Sequence, residues 1–130
     1  MIFVDTNVII YAVGRDHPLK AEARGLFEHA LTKTGQRLVT SAEVLQELLH
    51  VYLPVGRLQT LQDALELVQR TMSNIWPVEA EDVLAAAALS GDYPALGARD
   101  LIHLGTCQRR GVREIHTFDR ALRAAFAGTS

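Results

Sequence analysis

The sequence contains little cysteine, little lysine and no long apolar run. Cys107 is the single cysteine among 130 residues, so no disulfide can form within the chain, which favours a reducing environment. The longest apolar stretches, such as residues 83–89, are far shorter than the roughly 20 residues that span a bilayer. The N-terminal apolar run lacks a basic start and is interrupted by Asp5, unlike a secretory signal peptide. We therefore expect a cytoplasmic protein with no membrane partner.

Charge of neither sign predominates. The chain has 13 Lys and Arg residues and 15 Asp and Glu residues, so its net charge of −2 argues neither for nor against a nucleic-acid partner. Lys20 and Lys33 are the two lysines, and the other cations are arginines. Arginine presents a planar fork that suits phosphate. A GC-rich genome would also favour arginine codons, so this bias leaves the partner open.

The composition is that of a globular protein, with 48% hydrophobic and 22% charged residues, and we expect a single domain over residues 1–130. Apolar and β-branched runs predict strands at residues 2–5, 37–40, 75–78 and 114–118. Apolar residues at helical spacing predict longer helices at residues 17–35, 41–52, 58–72, 80–91, 99–111 and 119–127. Pro77 restricts the third strand to a sheet edge or a strand end.

Strands that alternate with helices predict an α/β fold with a mostly parallel sheet covered by helices. Ligands of such sheets bind at the carboxyl ends of the strands. Asp5 ends the first predicted strand and Asp119 follows the last, so both acids are expected at this edge of the sheet. Asp5 is embedded in apolar sequence, where a lone ionised carboxylate is costly and needs a partner.

Two further acids belong to predicted helices. Glu47 lies roughly 115° from the centre of the apolar face of helix 41–52, and Glu43 lies roughly 155° from it, at 3.6 residues per turn. We therefore expect Glu47 to border the core and Glu43 to point to water. Asp100 opens helix 99–111 and also borders its buried side.

Each acid also has a structural interpretation. Asp100 could favour the helix dipole, Asp119 could cap a helix and Glu47 could be solvated. Together, however, four carboxylates would repel one another unless a hard divalent cation such as Mg²⁺ or Mn²⁺ held them. With one or two such ions the cluster becomes a site that can cleave phosphodiesters. Soft metals are disfavoured because Cys107 stands alone and the histidines lack zinc-type spacing.

Four segments carry a family resemblance, namely VDTNVIIYA (4–12), SAEVLQEL (41–48), ARDLIHLGTCQRRGV (98–112) and HTFD (116–119). They resemble the four acidic motifs of PIN-domain ribonucleases, and most closely those of VapC toxins from toxin–antitoxin pairs. The resemblance covers nearly the whole chain in order. It implies a PIN-like three-layer sandwich, with a mostly parallel sheet of four or five strands flanked by helices. The short C-terminal segment leaves the fifth strand open.

The resemblance implies a metal-dependent endoribonuclease that hydrolyses RNA to products with a 5′-phosphate and a 3′-hydroxyl. The residues it assigns to catalysis and to Mg²⁺ or Mn²⁺ are Asp5, Glu47, Asp100 and Asp119. The residues it assigns to orienting these ligands are Thr6, Asn7 and Thr117. It also implies a homodimer and an inhibitory VapB-like antitoxin protein, for which helices 41–53 and 58–72 could form a groove.

Four further residues and two alternative functions complete the interpretation of the sequence. Arg99, beside Asp100, and Arg15, after a first short helix, are candidates for RNA contacts. His103, one turn after Asp100, could bind substrate or assist in proton transfer, but we interpret it as a surface or packed histidine. Phe118 stands where the family often has a basic residue, which removes one phosphate contact. The alternative functions are a non-catalytic PIN-like binding module and a structure-specific DNA nuclease.

Overall fold

The computed structural model describes residues 1–128, so the last two residues of the predicted domain lie outside this range. Its strands are β1 (Ile2–Val4), β2 (Leu38–Ser41), β3 (Met72–Trp76) and β4 (Glu114–His116). Its helices are α1 (Thr6–Val13), α2 (Lys20–Ala30), α3 (Ala42–Tyr52), α4 (Leu58–Thr71), α5 (Ala80–Leu89), α6 (Ala98–Arg110) and α7 (Arg120–Ala127). No helix in residues 1–128 is long and apolar enough to cross a membrane.

The strands form a four-stranded sheet in the order β3–β2–β1–β4. Every pairing is parallel, and Ile2 of β1 lies opposite Leu38 of β2 on one side and Glu114 of β4 on the other. Because the strands are parallel, their carboxyl ends all meet at one edge of the sheet. The structure thus confirms the predicted α/β class, with four strands in the described part of the chain.

Two predicted elements are displaced or shorter than expected. The third strand covers residues 72–76 rather than 75–78, because α4 runs directly into it, and it ends before Pro77 at the edge of the sheet. Helix 17–35 is reduced to α2, and the residues after it turn back toward β2. Gly35 allows this turn, since a Cβ there would lie 2.2 Å from the carbonyl oxygen of His29.

The core lies between the sheet and the helices packed on it. Phe3, Val4 and Val39 in the two central strands have no exposed surface, as expected for short strands of a parallel sheet. Helix α1 packs against α2, α3 and α4, and α5 packs against α6. These contacts hold α1, α3 and α6 around the carboxyl edge of β1.

The arginines at the end of α6 are engaged in pairs with the start of α5. Arg109 pairs with Asp82, which is fully buried, and Arg110 lies 3.0 Å from Glu79. The Arg110 guanidinium also lies over the Trp76 ring, 4.9 Å from its centroid. These two arginines therefore join the end of α6 to the start of α5.

Candidate active site

Asp5 occupies the junction between β1 and α1 and is almost completely buried, with 5% of its surface exposed. Its Oδ1 accepts a hydrogen bond from the backbone N–H of Thr6 at 2.8 Å, so the carboxylate caps α1. Its Oδ2 accepts a hydrogen bond from the hydroxyl of Thr117 at 2.7 Å. Both carboxylate oxygens therefore have one protein donor each, and their orientation is set by the backbone of α1 and by the segment after β4.

The segment after β4 is tied to α1 by a small polar network. Thr117 Oγ1 accepts hydrogen bonds from Asn7 Nδ2 at 3.4 Å and from the backbone N–H of Asp119 at 3.0 Å. Asn7 Oδ1 accepts from the backbone N–H of Phe118 at 3.2 Å. Asp119 Oδ1 caps α7 by accepting from the N–H of Leu122 at 3.0 Å. The two ends of the chain are thereby joined, and the Asp119 carboxylate is placed beside the carboxyl end of β1.

Glu47 approaches Asp5 from α3 through a buried histidine. His103 of α6 has no exposed surface, and its Nε2 lies 3.1 Å from Glu47 Oε1 and 3.7 Å from Asp5 Oδ1. One ring nitrogen thus faces two carboxylates from different elements. The other nitrogen, Nδ1, is buried and has no hydrogen-bond partner among the described residues.

The two glutamates of α3 differ less in side-chain exposure than the helical geometry predicted. Glu47 borders the core as expected, but the Glu43 side chain is 17% exposed against 15% for Glu47. The prediction that Glu43 points to water is therefore wrong. The reason is that α6 packs against α3 and brings Arg99 within 3.8 Å of Glu43, from Nε to Oε1.

The charges of these groups are strongly coupled. Burial raises the pKa of Asp5, and the nearby charge of His103 and the hydrogen bond from Thr117 only partly offset this rise. Burial also acts to raise the pKa of Glu47, but the hydrogen bond and charge of His103 outweigh it and the pKa is lowered. Burial lowers the pKa of His103, whereas the hydrogen bond to Glu47 and the charge of Asp5 raise it to above the ordinary value. The three groups therefore favour a charged Glu47–His103 pair beside a destabilised Asp5 carboxylate.

The charges of the other three predicted acids all act on Asp100. Burial raises its pKa, the Asp5 charge raises it further, and Asp119 and Glu47 add to this effect, so that it reaches about 6 in spite of His103. The Asp100 carboxyl group resists ionisation because it is partly buried and because other carboxylates lie nearby. The four acids predicted from the sequence therefore share one electrostatic environment.

The arrangement fits a bound divalent cation. Ligand atoms of Asp5, Glu47 and His103 lie within 4.8 Å of one another, and Asp100 and Asp119 lie outside this closest group. Thr6 Oγ1 is close enough to Glu47 to lower the pKa of Glu47, yet it is buried and forms no hydrogen bond of normal geometry within the described part of the chain. Clustered carboxylate oxygens suit a hard cation, whose charge would offset their mutual repulsion.

Sequence reasoning missed the placement of His103. The interpretation as a packed histidine is confirmed, since His103 has no exposed surface, but its position between Glu47 and Asp5 was not predicted. A signal was present, because His103 lies three residues after Asp100 and so on the same side of α6. The two predicted RNA contacts are both accessible, since Arg15 is exposed and the Arg99 side chain is 44% exposed.

Comparisons with known proteins agree with this geometry. The PIN domain family model matches residues 2–126. Ribonuclease VapC23 of Mycobacterium tuberculosis H37Rv is 61% identical over 126 residues, which cover 97% of this chain and 98% of the relative.

Two solved structures share the fold. The crystal structure of Mycobacterium tuberculosis VapC20, a Sarcin-Ricin loop cleaving toxin, aligns with a TM-score of 0.79 at 17% identity and covers 96% of this chain and 95% of that one. A toxin–antitoxin complex from Klebsiella pneumoniae aligns with a TM-score of 0.64 at 22% identity, covering 92% and 87%. At these identities the two structures speak for the fold alone, and the family follows from the domain match and the 61% identity. The chain belongs to the PIN-domain family, among the VapC-type endoribonucleases.

Proposed function

We propose that this chain is a Mg²⁺- or Mn²⁺-dependent endoribonuclease and that its acidic centre is the catalytic site. The observation that carries the proposal is that Asp5, Glu47, Asp100 and Asp119 share one partly buried environment, in which burial and the charges of the other three acids raise the pKa of Asp100 to about 6. Such a cluster is costly for a protein without a cation to fill it. The cost is accounted for if the residues serve metal-assisted phosphodiester hydrolysis.

The protein residues hold the acids in place. Thr117 and the N–H of Thr6 orient the Asp5 carboxylate, and His103 orients Glu47 through Nε2. Such supporting hydrogen bonds set ligand geometry and basicity. The chemistry that a bound divalent cation supplies here is activation of a water and neutralisation of charge on the scissile phosphate. Asp119 is held by the hydrogen bond in which its Oδ1 caps α7.

Substrate binding requires cations outside the acidic centre, because the carboxylates repel a bare phosphate. Arg99 lies on the first turn of α6 beside Asp100, and Arg15 follows α1. We assign both to the RNA backbone. The exposed part of Arg99 is free to reach a phosphate, because its pairing with Glu43 is long, at 3.8 Å.

The proposal is tested by incubating the purified chain with matched RNA and DNA substrates in Mg²⁺, in Mn²⁺ or in EDTA. The Asp100→Asn variant serves as the active-site variant, since the Asp100 side chain forms no hydrogen bond with residues 1–128 that would support the fold. Glu114→Gln serves as the control, because Glu114 starts β4 at the opposite edge of the sheet. We expect metal-dependent RNA cleavage that falls at least ~100-fold in Asp100→Asn and is unchanged in Glu114→Gln.

Two other outcomes would redirect the interpretation. Cleavage of structured DNA without cleavage of RNA would favour the DNA nuclease. If the chain cleaves neither RNA nor DNA and calorimetry detects no binding of divalent ions, a non-catalytic binding module is favoured. The acidic cluster around Asp100 would then have no catalytic role.

We propose an antitoxin as the protein partner, in keeping with the toxin–antitoxin complex among the structural neighbours. A cavity of about 360 Å³ lies between α1, α2 and α4, with Phe27, Leu31 and Leu67 among its apolar lining and arginines and acids around them. It shares α4 with the groove expected from the sequence, but α1 and α2 take the place of α3. We assign it to an apolar segment of the antitoxin.

The antitoxin assignment is tested with Leu31→Glu, because Leu31 is 59% exposed and can accept a charge without loss of the fold. We expect this variant to escape inhibition by the cognate antitoxin while it cleaves RNA normally. Leu84→Glu on α5, where Leu84 is 70% exposed, is the matched control. We also propose that the chain forms a homodimer in the cytoplasm. Sedimentation of the purified chain alone tests whether the dimer forms.

A further inference from the structure

A row of three rings leads away from the acidic centre. Phe118 lies between Thr117 and Asp119, and its ring meets the Tyr11 ring edge to face, with centroids 5.4 Å apart. The Tyr11 ring lies 4.6 Å from the ring of His17. Phe118 and Tyr11 are half-buried and His17 is exposed, so the row becomes more accessible with distance from the acids.

The far end of the ring row opens into a shallow basic cavity of about 410 Å³. The cavity is lined by Asp16, His17, Lys20, Ala21 and Arg24. The lining therefore contains two cationic side chains, one carboxylate and the ring of His17. The ring row and the basic cavity are continuous, because His17 belongs to both.

The groups at this end are held in position before any ligand binds. The Lys20 ammonium donates a hydrogen bond to the carbonyl of Gly14 at 2.7 Å, at the end of α1. Nδ1 of His17 accepts a hydrogen bond from the backbone N–H of Leu19 at 3.1 Å. A surface whose side chains are already ordered loses less entropy when it binds.

We propose that the ring row and the basic cavity bind the single-stranded RNA segment next to the cleaved bond, an inference that rests on the proposed function. Unpaired bases stack on aromatic side chains, and neighbouring cations hold the phosphates between them. Phe118 begins the row within the loop that positions Asp5 and Asp119, so we place the strand that leaves the acidic centre on the rings of Phe118, Tyr11 and His17. We assign the phosphates that follow to Lys20 and Arg24, which line the basic cavity.

The ring row also has a simpler interpretation, in which the rings merely pack the loop after β4 against α1. The two interpretations differ in what a ring does for RNA. A packing role needs apolar volume at residue 11, which leucine supplies, whereas a stacking role needs an aromatic face.

Binding is measured in the Asp100→Asn background, in which cleavage is suppressed, with a fluorescent single-stranded RNA of about eight nucleotides. We expect Tyr11→Leu to weaken binding roughly ten-fold. Tyr11→Phe keeps the ring and should restore binding. Equal binding by Tyr11→Leu and by the parent would overturn the proposal, and thermal denaturation of both variants shows whether either has lost its fold.

A second RNA, lacking the base next to the cleaved bond, separates stacking from a general structural effect. The parent should bind this RNA more weakly than the intact one, and Tyr11→Leu should bind both equally, because the ring and the base act together. If Tyr11→Leu weakens both RNAs by the same factor, the ring has a packing role and the proposal is wrong.

The basic cavity is tested through the salt dependence of binding. Loss of one phosphate contact in Arg24→Gln should reduce the slope of log Kd against log salt by about 0.7 for a single strand. Arg37→Gln is the control, since Arg37 is exposed just before β2, at the opposite edge of the sheet. An unchanged slope in Arg24→Gln, or an equal change in Arg37→Gln, would contradict the assignment.

Cleavage by the chain with an intact Asp100 is recorded in parallel. If that chain cleaves RNA while Tyr11→Leu and Arg24→Gln bind RNA normally, the assignment of the ring row and the basic cavity to RNA is wrong and the proposed function stands. If it cleaves no RNA, the proposed function itself fails.

Discussion

The hydroxyl of Thr117 donates a 2.7 Å hydrogen bond to Oδ2 of Asp5, across 112 positions of sequence. This bond joins the loop after β4 to the junction of β1 and α1, and so links two neighbouring strands at their carboxyl ends. It also lowers the pKa of Asp5 against the larger effect of burial. Thr117 therefore favours the ionised form of Asp5, which is the form that binds a cation.

Thr117→Val removes this donor while keeping the shape of the side chain. We expect the free energy of unfolding to fall by about 1–3 kcal/mol, because a buried carboxylate loses a hydrogen bond. Mn²⁺ affinity, measured by calorimetry, should fall roughly ten-fold because Asp5 is no longer oriented. Thr40→Val is the control, since the buried Thr40 hydroxyl donates instead to the carbonyl of Val4, and it should lose stability without losing Mn²⁺ affinity. Equal effects of the two variants on Mn²⁺ binding would contradict the orienting role.

His103→Leu should destabilise the metal-free protein by on the order of 2 kcal/mol, because Glu47 and Asp5 lose the group that faces them both. The partial exposure of Glu47 keeps the loss below that of a fully buried pair. Denaturation in urea with EDTA present measures it. His103→Gln, which keeps a donor near the same place, should recover part of the loss.

The pH dependence of this difference follows from the two pKa shifts. The pKa of Glu47 is lowered, so its contribution is present above pH 4.5 and is lost as the pH falls through the lowered value. The pKa of His103 is raised, so its contribution is complete below pH 6.5 and is lost as the pH rises through the raised value. The stability difference between the wild type and His103→Leu should therefore be largest between pH 4.5 and 6.5. A difference that is constant with pH would show that the lost stability is not electrostatic.

Asp100→Asn should stabilise the protein in EDTA although it removes activity. The pKa of Asp100 is raised from 3.8 to about 6, so the folded protein holds this proton more tightly than the unfolded chain and loses stability as the pH rises between these values. Above pH 6 we expect the variant to gain on the order of 1 kcal/mol, after allowance for solvent screening, or a rise in Tm of about 3–5 °C.

The gain in Asp100→Asn should disappear below pH 3.8, where the carboxyl is protonated in both states. Asp92→Asn, at an exposed acid in the loop after α5, is the control and should leave Tm nearly unchanged. Thermal denaturation across this pH range measures the gain, and a gain that persists at the acidic end would show that ionisation of the partly buried Asp100 is not its cause.

Arg99→Gln tests the predicted contact with RNA. We expect KM for RNA to rise several-fold with little change in kcat, because a phosphate contact outside the acidic centre is lost. The salt dependence of RNA binding should fall by about 0.7 in slope. The exposed Arg37→Gln variant should match the wild type in both measurements. A fall in kcat with unchanged KM would instead assign Arg99 to the catalytic centre.

Most helices and strands could be predicted from the local sequence, because the spacing of apolar residues indicates which side of a helix or strand is buried. The strand 114–118 and the helices 58–72 and 80–91 lie within a few residues of β4, α4 and α5. The third strand was placed too late because residues 72–74 carry little apolar character, and it forms through pairing with β2, which no local pattern reports. Helix 17–35 was overextended because the turn at Gly35 depends on contact with the end of α2.

The sequence by itself determined the alternation of strands and helices and the positions of four acids, since periodicity and residue chemistry are local properties. Only the tertiary structure decided what surrounds those acids. Helix α6 delivers His103 to Glu47 and Asp5, and it brings Arg99 to Glu43, which the helical geometry of α3 alone had directed to water. The parallel sheet brings Thr117 to Asp5. Burial and charge repulsion depend on distances between elements far apart in the chain, and packing sets those distances.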